Sequence, residues 1–102
     1  MQKLVLSSVF LAASVFGAEL TGYIVDAPCG WNNARSTPEA KECARKCVKA
    51  GWDPVFVPDG SMNTYQIPDK AKVMEFVGEK VVITGVLRKD SVTVEKIRLA
   101  KD

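Results

Sequence analysis

The sequence predicts a small, mainly β domain with one cysteine-bearing helix, exported behind a short apolar leader. Three observations predict it. Beyond the leader, most of the 102-residue chain falls into short alternating apolar runs bounded by Gly, Pro, Asn and Asp, the patterning of strands and turns. A stretch near residues 37–50 instead places its apolar residues at helical spacing. The first eighteen residues read as a secretory signal peptide.

The leader comes first. Met1-Gln2-Lys3 supplies one positive charge, residues 4–16 form a thirteen-residue run without a charge, and Gly17-Ala18 offers small residues for cleavage after either. A bilayer span needs roughly 20 apolar residues, so no stable membrane anchor is expected after cleavage. The predicted organisation is 1–18 as signal peptide and 19–102 as a single domain, with a periplasmic or secreted address. Loss of Lys3 with the leader leaves thirteen basic and twelve acidic residues, a net charge of +1. That balance argues against a nucleic-acid partner and leaves a small ligand or another protein. A domain of this size buries only about 60 to 65% of its unfolded surface, so a covalent staple is useful, and an oxidising compartment permits one.

Residues 20–25 alternate as a first strand, closed by Asp26-Ala27-Pro28. Cys29-Gly30-Trp31-Asn32-Asn33 is a loop by composition. A helix then begins at Ser36 or Thr37 as N-cap, with Pro38 and Glu39 in its first turn, and runs to about Ala50 before Gly51. Its apolar side carries Ala40, Cys43, Ala44, Cys47 and Val48. Residues 54–57 and 62–67 read as a hairpin about Pro58-Asp59-Gly60. Residues 68–77, between Pro68 and Gly78, read as a short helix. Residues 80–87 and 91–99 are strands joined by Arg88-Lys89-Asp90, and the apolar phase slips between Val94 and Ile97, which predicts a bulge.

The order is thus β, α, β, β, α, β, β. Setting the cysteine helix aside leaves three strands, a helix and two strands, the order of the five-stranded oligonucleotide/oligosaccharide-binding (OB) barrel. On this mapping the cysteine helix is inserted between strands 1 and 2, and the short helix joins strands 3 and 4. The loop after strand 1 and the turn between strands 4 and 5 then flank the usual OB binding face.

Thr21-Gly22-Tyr23-Ile24-Val25-Asp26 with Cys29-Gly30, Cys43-x-x-x-Cys47, Val55-Phe56-Val57-x-Asp59-Gly60 and Val81-x-Ile83-Thr84-Gly85 resemble a family of small exported bacterial OB-like proteins of unassigned function. The resemblance spans essentially the whole chain beyond the leader. It implies the fold and the address, and no activity. Members of that family often carry a His a few residues after the Cys-Gly pair; here Trp31-Asn32-Asn33-Ala34-Arg35 has none.

The three cysteines are the unusual constellation. Cys43 and Cys47 lie one helical turn apart on one face, within reach of Cys29 from the loop. The expected arrangement is one disulfide, Cys29 with Cys43 or Cys47, worth about 3 kcal/mol for a loop of roughly 15 residues, with the odd cysteine as apolar filler. The alternative is a thiolate site, Cys29, Cys43 and Cys47 around Cu(I) or Zn(II), or a thiol-redox pair on the helix. A tetrahedral zinc site would lack its fourth ligand, as the chain has no His.

No catalytic residues and no cofactor are predicted. The absence of His removes the commonest general base, no Gly-rich phosphate loop occurs, and Asp26, Asp53, Asp59 and Asp69 sit where turn and cap residues belong. Tyr23, Phe56 and Tyr65 are candidates for a stacking face, with core packing as the competing role. Trp31 and Trp52 are expected to form a lid over the cysteine segment. Lys41, Arg45, Lys46 and Lys49 form a basic helix edge facing solvent. The expected function is an exported binding or structural module, not an enzyme.

Overall fold

The computed structural model describes residues 17–101. The predicted signal peptide lies outside the described residues except for Gly17 and Ala18. The strands are β1 (Ala18–Asp26), β2 (Pro54–Pro58), β3 (Tyr65–Gln66), β4 (Lys80–Leu87) and β5 (Val92–Leu99), and the helix α1 (Pro38–Lys49) falls between β1 and β2. The ladders are antiparallel and give the order β3-β2-β1-β4-β5, so the fold is mainly β, as expected.

The sheet curls because β1 changes partners along its length. Its first half runs with β4, from Ala18 opposite Gly85 to Tyr23 opposite Lys80, and its second half with β2, from Gly22 opposite Pro58 to Asp26 opposite Pro54. Gly22 sits at the exchange, where a Cβ would lie 2.4 Å from the Val57 carbonyl oxygen and 2.7 Å from the Phe56 ring. The tight crossing of three strands therefore requires glycine there. The curl brings the outer strands together: Gln66 forms a parallel bridge with Ser91, and its N–H donates to the Asp90 carbonyl at 2.9 Å.

A bulge deepens the bend. Thr84 pairs with Lys96 but Gly85 with Val94, which leaves Glu95 as the extra residue on β5, where the apolar phase slips in the sequence. Phe56, Ile24, Ile83, Val25 and Val81 fill the interior without exposed surface. Burying one such side chain is worth about 1.5 to 3 kcal/mol.

Local chemistry sets the ends of α1. Thr37 is the N-cap, its Oγ1 accepting from Ala40 N–H at 3.2 Å, and Pro38 begins the first turn. At the other end Gly51 takes φ +115°, and the N–H groups of Gly51 and Trp52 donate to the carbonyls of Val48 and Cys47 at 3.0 and 3.1 Å, a Schellman closure. Ala40, Ala44 and Val48 face the core.

Two expectations need correction. Residues 68–77 do not form one helix but two 3₁₀ turns, Lys70–Lys72 and Met74–Phe76. No side-chain bond caps the first of them, and a segment this short does not hold an α-helix unaided. What the sheet needs from it is Val73 and Val77, both buried. The strand expected over 62–67 is only Tyr65–Gln66, since the reversal at Pro58-Asp59-Gly60-Ser61 leads into an extended loop before pairing resumes.

Candidate functional site

Asp26 ends β1 with no exposed surface. A buried carboxylate must be met by donors, and here they come from the next seven residues. Its Oδ2 accepts from the Cys29 N–H at 3.1 Å and its Oδ1 from Asn33 Nδ2 at 2.8 Å. Gly30, at φ +52°, starts the 3₁₀ turn Gly30–Asn33 that carries Asn33 back under the strand end.

The same carboxylate bears on the thiols: Asp26 and Cys43 both act electrostatically on Cys29 and Cys47, and all three cysteines are half-buried. None is bonded to another in this structure. Burial first, then the Asp26 carboxylate, push the Cys29 thiol up from 9.0 to about 11. Burial, again followed by Asp26, also raises Cys47. Both effects favour the neutral thiol over the thiolate. Among the described residues no group of three or more His, Cys, Asp or Glu stands in metal-holding geometry.

Asp26 is the residue that sequence reasoning misplaced. It is a fully buried acceptor that organises the turn, as well as a turn residue. Its signal lay in the Asp-x-x-Cys spacing at the end of an apolar strand, where an Asp folds back on the N–H groups that follow.

A groove of about 430 Å³ crosses β2 and β3 at the same end of the sheet. Ala27 from the loop after β1 and Asp90 from the β4–β5 turn stand on its walls, with Val55, Ile67, Gln66 and Thr64 among the residues between them. Asp53 and Lys70, also lining it, are paired at 2.7 Å. The groove thus mixes apolar and polar lining and has no net cationic field.

The aromatic expectations divide. Phe56 is fully buried, and Tyr23 is nearly so, its hydroxyl bonded to Ser36 Oγ at 3.0 Å. Neither ring is a stacking surface, because both sides of β1 and β2 are covered at this level; Tyr65 is half-buried. Trp31 and Trp52 do not form a closed lid: they are 45% and 57% exposed. Trp52 is held by the Schellman closure next to Asp53. Trp31 follows Gly30, which lies against Thr64 of the groove.

A larger groove, about 760 Å³, runs along the basic edge of α1 and includes Lys41, Arg45, Lys46 and Lys49. Its cations are largely engaged. Lys41 and Arg45 pair with Glu79 at 3.2 and 2.7 Å, and Lys46 approaches Glu42 at 3.9 Å.

No protein-family model, curated protein or solved structure matches the chain.

Proposed function

We propose that this protein is an exported binding module of the OB type that takes a neutral oligosaccharide in the groove across β2 and β3. The observation that carries the reading is the groove's position, bounded by the loop after β1 and the β4–β5 turn. In an OB barrel those two loops flank the ligand. The strand order and the parallel Gln66–Ser91 bridge between the outer strands support the same assignment.

The ligand class follows from the walls. Sugar rings present CH faces and hydroxyls, which suit exposed indoles beside amide, hydroxyl and carboxylate groups. Gln66, Thr64 and Asp90 in the lining supply the polar groups, Pro54, Val55, Ile67 and Pro68 the apolar ones, and the exposed Trp31 and Trp52 stand outside the lining; the paired Asp53 and Lys70 give a polyanion little to hold. The binding role is non-catalytic. A disulfide from Cys29 to α1 fastens the loop that forms one wall, and the export reading supplies the compartment in which it forms.

Titration of the purified protein with cellohexaose and chitohexaose, followed by tryptophan fluorescence and amide chemical shifts, tests the reading. Saturable shifts at Gln66, Thr64 and Asp90 are expected, with Gln66→Ala weakening binding by about tenfold or more. Silence of these residues toward both sugars, or a preference for a dT10 oligonucleotide, overturns it.

A further inference from the structure

We propose that the outer edge of β5, from Glu95 to Leu99, is a strand-addition site for an extended segment of another protein in which apolar and acidic residues alternate. The inference is independent of what the groove across β2 and β3 binds.

The backbone register opens the edge. β5 ends the sheet order, with β4 on one side of it. Ala100 N–H donates to the Lys80 carbonyl at 3.0 Å, so continuing the ladder by twos makes Val82–Arg98 and Thr84–Lys96 its hydrogen-bonded pairs. Ile97 and Leu99, which alternate with them, turn their N–H and C=O groups away from β4. The earlier part of the same edge is already used: Ser91 bridges Gln66, and the Val94 carbonyl accepts from Lys72 Nζ at 2.8 Å. Beyond the bulge at Glu95, no hydrogen bond among the described residues reaches the outward groups of Ile97 and Leu99.

The side chains define what pairs there. Ile97 and Leu99 lie opposite Ile83 and Val81, on the face that makes the core. Yet Ile97 is only half-buried and Leu99 is 54% exposed, while Val81 and Ile83 are fully buried. The curl of the sheet closes at Gln66–Ser91 and leaves these two uncovered, so alternate residues of an added strand must be apolar to complete that face. The intervening residues meet the other face, where Lys96 and Arg98 with Glu19, Val82 and Thr84 line a shallow groove of about 340 Å³. Lys96 has no ion pair among the described residues, and Arg98 stands 3.7 Å from Glu19 in an exposed pair. Acidic residues in the added strand pair across to both cations. A second copy of this chain fits badly. Antiparallel registers centred on Lys96, Ile97 or Arg98 each set cation against cation, a common guard against edge-to-edge association.

The test is titration of the full chain into fluorescein-labelled peptides: TVEVEVT, its cationic counterpart TVKVKVT, and TVVVEET, which keeps the composition of the first without its alternation. Anisotropy is expected to show saturable binding of TVEVEVT, at least about tenfold tighter than either control. In that complex, amide hydrogen exchange is expected to slow at Ile97 and Leu99 and to stay unchanged at Gln66. Leu99→Pro removes an outward N–H and no ladder bond, and is expected to weaken binding by about tenfold or more. Lys96→Glu/Arg98→Glu is expected to switch the preference to TVKVKVT, an arm that stands even if Leu99→Pro does not fold. Failure of TVEVEVT to bind, equal binding of the alternating and scrambled peptides, unprotected Ile97 and Leu99 amides in the complex, or self-association of the free chain through this edge overturns the proposal.

Discussion

The two ends of the sheet are built by different physics. Where β1 runs with β4 and β4 with β5, the structure rests on alternation, with Val81, Ile83, Val92 and Val94 inward and exposed or half-exposed residues between them. Where β1 runs out at Asp26, the structure rests on directed polar bonds to one buried carboxylate. The first kind of end tolerates any side chain of similar volume; the second depends on particular atoms. Apolar packing nevertheless runs through both halves, since Ile24, Val25, Phe56 and Val57 are fully buried beside the polar end.

Four substitutions or conditions test that contrast, beginning with the largest effect. Phe56→Ala, at the centre of the apolar packing, is expected to cost about 3 to 5 kcal/mol. In thermal unfolding that is a fall of some 12 °C or more at about 4 to 8 °C per kcal/mol for a small domain. Asp26→Ala strands Asn33 Nδ2 and the Cys29 N–H, each left unpaired at about 1 to 3 kcal/mol. If the polar end is a unit, Asp26→Ala/Asn33→Ala will cost clearly less than the two single changes added, as measured by denaturant unfolding. Gly22→Ala drives a methyl into the Val57 carbonyl and the Phe56 ring and should cost about 1 to 3 kcal/mol. Its amide shifts should spread into both neighbouring strands. Thr37→Ala removes the helix cap for about 1 kcal/mol, a change confined to α1.

A pH series separates the ends without mutation. Cys29 is raised from 9.0 to about 11 in the fold, so the reduced protein keeps that contribution below pH 9 and loses it as pH climbs toward 11, when the unfolded chain ionises first. Cys47 shifts in the same direction. Iodoacetamide labelling of Cys29 should rise about tenfold per pH unit between 7 and 10, since the thiolate is the reactive form. A label rate already level at pH 9 would show that burial and Asp26 do not hold the thiol neutral.

The same division explains what could be read in advance. Strand β4 spans the residues its alternation marks, the bulge lies at Glu95 where the phase slips, and Thr37, Pro38 and Gly51 bound the helix. These follow from local periodicity and capping. The segment 68–77 misled because Pro68 and Gly78 look like helix ends, while the packing asks only for Val73 and Val77. The aromatic residues could not be sorted because alternation fixes two faces but not which of them is covered; on β2 both are buried. Asp26 was hidden for a related reason. Nothing near it in sequence says that the Asp26 carboxylate acts on Cys47, a helix away.

The contact between Gln66 and Ser91 has a consequence for how the molecule breathes. A curl that shuts through one parallel rung has its weakest seam there, between a two-residue strand and the start of β5. Local opening at low free energy would begin at that seam and leave the β1–β4 ladder intact. The amide of Gln66 should therefore exchange with solvent far faster than those of β1. Because Gln66 and Asp90 both line the groove, a guest lying across them would act as a second clasp, slowing exchange at a seam that the chain closes with one rung.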